Sequence, residues 1–102
     1  MERKFHQQAK EVAEHLTLLA HPMRLMIVCL LLQKELCASE ILAKLGTTKG
    51  NLSQHLKLLI LKKMIVGQKE GNRVYYRIID PRLKKVIAAL KGSYCPEMNL
   101  KI

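Results

Sequence analysis

Residues 46–63, GTTKGNLSQHLKLLILKK, restrict the fold more than any other stretch. Leu52, Leu56, Leu59 and Ile60 recur at i, i+4, i+7 and i+8, which places them on one face of a helix. Thr47-Thr48 supplies a helix start and Gly46 the turn before it. Lys49, Asn51, Gln54, His55 and Lys57 fall on the other faces, and no carboxylate stands among them. Side chains of these types donate hydrogen bonds to base edges and phosphates, so the stretch reads as a helix that meets DNA.

The charge distribution supports a polyanionic partner. The 102-residue chain has a formal charge of +10. Residues 46–77 carry seven basic and one acidic side chains, whereas residues 1–20 carry three of each. Charge clustered on one helix and the segment after it is the footprint of nucleic-acid binding. A membrane partner is not expected. No apolar run reaches the roughly 20 residues of a spanning helix, and the basic helix lacks Trp and Phe. MERKFHQQAK shows no secretory pattern, which points to the cytoplasm, and three cysteines do not form a disulfide framework.

Elsewhere the pattern alternates between helical and extended. Phe5, Ala9, Val12, Leu16 and Leu19 predict a helix over 5–20 that ends before His21-Pro22. Pro22 to Gln33 is apolar nearly all round apart from Arg24, as befits a central buried helix. Cys37-x-x-Glu40 has capping-box spacing and opens a helix to Leu45, closed by Gly46. Helix, glycine turn and basic helix make a helix-turn-helix. Two short strands around Glu70-Gly71-Asn72 follow as a hairpin, flanked by Lys69 and Arg73, in the position of a wing. A last helix spans about Asp80 to Tyr94, with Leu83, Val86, Ile87 and Leu90 on one face, and Glu97 to Ile102 is a tail. The expected fold is mainly α with a small β-hairpin: five helices plus a two-stranded wing in one domain, 1–102.

Several short motifs, in their order and spacing, resemble the ArsR/SmtB family of winged-helix repressors. They are Leu19-Ala20-His21-Pro22-Met23-Arg24-Leu25, Lys34-Glu35-Leu36-Cys37, Leu52-Ser53-Gln54-His55-Leu56 and the wing Glu70 to Tyr76. The resemblance implies a homodimer packed through residues 1–20 and 80–95, with a helix-turn-helix at 37–63 and a wing at 64–79. It also implies a double-stranded DNA operator with inverted half-sites about one helical turn apart. Thr48, Lys49, Asn51, Ser53, Gln54, His55 and Lys57 are the DNA-contact candidates on the helix, with Lys69 and Arg73 on the wing. Asn51, Gln54 and His55 are the candidates for base contacts. Lys49 and Gly50 replace the Gln and Ser often found there, and Gly50 weakens the first turn by roughly 1 kcal/mol relative to Ala.

Arg24 to Cys29 and Tyr94-Cys95-Pro96 resemble the persulfide-sensing branch of that family. There the two matching cysteines form the sensing pair, and reactive sulfur species bridge them and release the operator. By composition alone Cys29 is a buried, inert thiol, and both readings stand at this point. Cys37 is an N-terminal thiol where metal and arsenic sensors carry two cysteines, but here the second position is Ser39. Its readings are a cap residue or an accessory thiol. The last helix has no histidine, so the family's other metal site is absent, and no metal or cofactor is expected. Arsenite or soft-metal sensing through Cys29, Cys37 and Cys95 is one alternative, and constitutive DNA binding is the other. His15 and His21 read as polar residues near a helix end, and no catalytic set is present.

Overall fold

A computed structural model describes residues 2–95. Five helices and one small sheet make up the fold. The helices are α1 (Glu2–Leu19), α2 (Pro22–Gln33), α3 (Ala38–Leu45), α4 (Lys49–Leu61) and α5 (Arg82–Tyr94). The strands are β1 (Leu36–Cys37), β2 (Ile65–Glu70) and β3 (Arg73–Ile78).

Helix α2 is the centre because its sequence leaves it no polar face. Ile27 to Leu31 are all buried, and they form a cluster with Ile41, Leu59, Met64, Leu83 and Ile87 from α3, α4, the segment before β2, and α5. His21 starts α2: its Nδ1 accepts from the Met23 N–H at 3.1 Å, and Pro22 occupies the first turn. Helix α1 turns through 88° into α2 at this break. Helix α3 ends at Gly46, which takes the left-handed conformation (φ 67°). Thr48 then caps α4 by accepting from the Asn51 N–H at 3.2 Å. These local signals fix the angle between α3 and α4 before any long-range contact forms.

Helix α4 ends less economically. Lys63 sits at φ 61°, its N–H donates to Ile60 O and the Met64 N–H donates to Leu59 O, both at 3.0 Å. That is a Schellman closure with lysine where glycine would be unstrained. It drops Met64, fully buried, into the core and aims the chain into β2.

The hairpin forms as expected, with Glu70 opposite Arg73 and Gly71 at φ 64°. The two-stranded wing is joined by a third strand that was not expected: β1 extends the sheet in the order β1-β3-β2, with Leu36 opposite Tyr76 and Cys37 opposite Tyr75. A strand of two residues carries no periodicity, and only its partner β3 makes it one. Gly67 faces Tyr76 in the register, and the Tyr76 ring covers the space a side chain would fill, 3.0 Å from an added Cβ. Helix α1 starts at Glu2 and α5 at Arg82, and Asp80 accepts from the Arg82 N–H at 3.0 Å to open α5. Pro96 and the tail Glu97 to Ile102 lie outside the described residues.

Candidate nucleic-acid interface and thiol sites

Helix α4 lies with Leu52, Leu56 and Leu59 inward and Thr48, Lys49, Asn51, Ser53, Gln54 and Lys57 exposed. Lys49, Ser53 and Lys57 line one side of a cleft of about 490 Å³ between α3, α4 and β3, with Leu56, Ile60 and Tyr76 on its apolar part. Ile60, expected on the buried face, is 39% exposed there. Asn51 is partly engaged within its own turn, its Nδ2 donating to Thr47 Oγ1 at 3.3 Å.

His55 departs from the expectation that it stands free toward DNA. It is half-buried, its ring 4.5 Å from that of His21 and its Nδ1 3.5 Å from Arg24 Nη1. Burial, then the neighbouring His21 and Arg24, push its pKa down. The structure therefore presents Gln54 and Asn51 more freely than His55. His21 and Arg24 were invisible as partners of His55, because they lie more than 30 residues earlier and neither carries a spacing signal.

On the wing, Lys69 and Arg73 are exposed on either side of the turn. Arg73 Nη1 lies 3.9 Å from Cys37 Sγ. The Tyr75 side chain and the Cys37 sulfur favour its charged form and raise its pKa. Among the described residues no carboxylate forms an ion pair with it. Helix, cap and hairpin thus present basic and amide groups from separate elements, the chemistry that phosphates and base edges require.

The three thiols occupy different surroundings. Cys29 is 5% exposed within the α2 core, and burial pushes its pKa up. Cys95 follows α5 and is exposed. Cys37 is buried at the start of α3, its sulfur 3.2 Å from Ser39 Oγ, and its N–H donates to Glu40 Oε1 at 3.0 Å. That bond, from the Cys37 N–H first, lowers the Glu40 pKa. The Glu40 half of the expected capping box is therefore present. All three cysteines are free thiols. Among the described residues no three His, Cys, Asp or Glu side chains are grouped to hold a metal ion. The trigonal thiolate set needed for arsenite is thus not assembled within one chain.

His15 lines a shallow cavity with Glu11, Glu14 and Lys62, beside the C-terminal end of α4 rather than its exposed N-terminal half. Its Nε2 is 3.8 Å from Asp80 Oδ2 and has no hydrogen-bond partner, so this histidine packs against the start of α5. Arg82 lowers the Asp80 pKa through a two-point contact, Nε to Oδ1 at 3.0 Å and Nη2 to Oδ2 at 2.8 Å. Among the described residues no single helix is long and apolar enough to cross a membrane.

Residues 21–64 match the sequence family described as "Bacterial regulatory protein, arsR family". A biofilm growth-associated repressor of Agrobacterium fabrum is 38% identical over 91% of this chain and 80% of its own length. Reduced HlyU from Vibrio cholerae superposes with a TM-score of 0.84 at 29% identity, covering 91% of this chain and 98% of that one. A homodimeric winged helix-turn-helix DNA-binding domain from Mycobacterium bovis superposes at 0.76 and 28% identity, over 90% and 84% of the two chains. These relatives are regulators rather than enzymes, and their shared architecture is the one built here around α2. The chain belongs to the ArsR family of winged helix-turn-helix, DNA-binding transcriptional regulators.

Proposed function

We propose that this regulator is a homodimeric repressor that leaves its operator when Cys29 and Cys95 are bridged by reactive sulfur. The observation that carries the reading is the contrast between two thiols on packed helices. Cys95 is exposed at the end of α5, and Cys29 is buried on α2, against which α5 packs through Leu83 and Ile87. Sulfur exchange needs an accessible attacking thiol and a second thiol to complete the bridge. Cys95 has the first property. Cys29, with its raised pKa, suits only the second step.

The chemistry balances with an organic trisulfide, RS–S–SR, as donor. The Cys95 thiolate attacks the central sulfur and expels RS⁻, forming a Cys95–S–S–SR adduct. The Cys29 thiolate then attacks the middle sulfur of that adduct and expels a second RS⁻. The products are a Cys95–S–S–S–Cys29 bridge and two RSH once both leaving groups are protonated, and no further oxidant is consumed. Such a bridge would tie the end of α5 to the core helix and shift the dimer away from the spacing of successive major grooves.

Dimerisation through 1–20 and 80–95 is supported by an uncovered face. Phe5, Val12 and Leu16 are 67, 57 and 49% exposed on one side of α1. The radius of gyration is 14.7 Å, above the about 13 Å of a compact domain of this size. A second copy would cover that face and present two α4 helices to an inverted repeat with half-sites about one helical turn apart. Residues 37–63 then form the reading unit and 64–79 the wing. Thr48, Lys49, Asn51, Ser53, Gln54, Lys57, Lys69 and Arg73 make the contacts, with His55 in a supporting place. A thiol switch of this kind belongs in the reducing cytoplasm, where the unbridged form is the resting one.

A second reading is favoured by the burial of Cys29: an inert core thiol in a constitutive regulator. One experiment separates the two. Operator binding is titrated with an organic trisulfide, peroxide and As(III), and the protein is then weighed intact. The proposal expects release by the trisulfide, a gain of one sulfur less two protons, and loss of the response in Cys29→Ser and Cys95→Ser but not Cys37→Ser. Unchanged binding with all three reagents would leave the constitutive regulator.

A further inference from the structure

Arg24 is the one basic side chain of α2, and it lies outside the DNA-facing set on α4 and the wing. Its guanidinium nevertheless meets three acceptors on two other helices. Nε donates to Leu18 O at 2.6 Å and Nη2 to Thr17 O at 3.4 Å, both in the last turn of α1. Nη1 points to Nδ1 of His55 in α4 at 3.5 Å. The carbonyls at a helix end have no intrahelical donors, and a cation there also complements the helix dipole. A planar fork presents its donors in a fixed, spread geometry that matches these three acceptors, whereas an ammonium offers its three from a single atom.

We propose that Arg24 is a positioning residue for DNA recognition: it ties the end of α1 to His55 and holds α4 at its angle while His55 is neutral. Only a neutral ring with its proton on Nε2 can accept from Arg24 at Nδ1. The charged or titratable groups facing His55 are Arg24 from α2 and His21 from the α2 cap, and α1 contributes only neutral carbonyls. His21 Nδ1 is already occupied as the acceptor that starts α2. Protonation of His55 therefore turns an acceptor into a second cation beside a guanidinium, with no carboxylate to offset it. The angle between α1 and α4 matters for DNA because α1 carries the dimer face, so this inference rests on the dimeric reading above.

The test uses the full chain. Arg24→Gln removes the cation and the fork, and Arg24→Lys keeps the cation only. Both should lose operator affinity on the order of tenfold or more, as for a lost charged hydrogen bond, with the salt slope and non-specific binding unchanged. His55, followed by NMR, should titrate higher in Arg24→Gln than in wild type and remain low in Arg24→Lys. A flattened slope with equal loss on all DNA would make Arg24 a phosphate contact and overturn the assignment, as would a His55 titration unmoved in Arg24→Gln. Should the Arg24 variants not fold, the wild type and His55→Gln suffice. Because the His55 pKa is lowered, wild-type operator affinity should hold down to the ordinary histidine value and fall as the pH drops below it. In His55→Gln, which lacks that group, this fall should be absent. A rise in wild-type affinity on acidification would overturn the proposal. Sedimentation of the wild type isolates failure of the dimeric reading, since a monomer there refutes that reading whatever the His55 titration shows.

Discussion

Removing the wing arginine gives the sharpest test of how the chain holds DNA. Arg73 is exposed beside the hairpin turn, its Nη1 3.9 Å from Cys37 Sγ. Each phosphate neutralised contributes about −0.9 to the slope of log affinity against log salt. A dimer has two copies, so Arg73→Ala should flatten the slope by about 1.8. Between about 50 and about 200 mM salt the variant should therefore lose roughly 12-fold less affinity than the wild type. The loss at low salt should be the same for operator and unrelated DNA. Arg73→Lys should keep the slope, since it retains the charge. Fluorescence anisotropy across a salt series, on both DNA sequences, reads all of this. Loss of sequence preference with an unchanged slope would show that Arg73 reads bases and would refute the phosphate assignment.

Four other changes test the frame that carries the site. Lys63→Gly should stabilise the domain by up to about 1 kcal/mol in urea, because the strained φ of 61° costs glycine nothing; a lower midpoint would contradict the Schellman reading. Gly67→Ala should cost about 1 kcal/mol, since its Cβ would meet Val74 Cγ1 at 2.9 Å; a gain would mean the hairpin yields freely. Asp80→Ala should cost about 1 kcal/mol near neutrality through the lost start of α5. The folded Asp80 pKa is lowered, by Arg82 first, so its contribution is present above the unfolded value of about 3.9 and is lost as pH falls through the folded one. A difference between wild type and variant that persists below both values would refute that linkage. Leu16→Glu places a charge on the uncovered face of α1 and should shift the chain to monomer in sedimentation at micromolar concentration; an intact dimer would place the interface elsewhere.

Local signals accounted for most of the architecture. The 3.6-residue repeat of Leu52, Leu56 and Leu59 is a property of neighbouring residues, and so are the Gly46 and Thr48 boundaries and the Gly71-Asn72 turn. Each is decided within a turn or two of chain, where propensity and capping act. The exposed Lys49, Gln54 and Lys57 followed from the same repeat once the apolar face was known. The thiols were legible as residues but not as environments. That Cys29 is sealed and Cys95 open depends on what α5 and α2 cover.

By itself the sequence determined that five helices form and roughly where they lie, most of the apolar face of α4, and that positive charge gathers on α4 and the wing. These follow from periodicity, caps and composition, all short-range. Only the tertiary structure decided that Leu36-Cys37 becomes a third strand, that Arg73 reaches Cys37, and that Arg24 joins α1 to His55. Apart from the Arg24 contact to α1, those contacts bring together residues 31 to 40 positions apart. No periodicity spans such a gap; it is closed by burying α2 between the helix-turn-helix and the sheet, which places the side chains that hold the recognition helix and the wing.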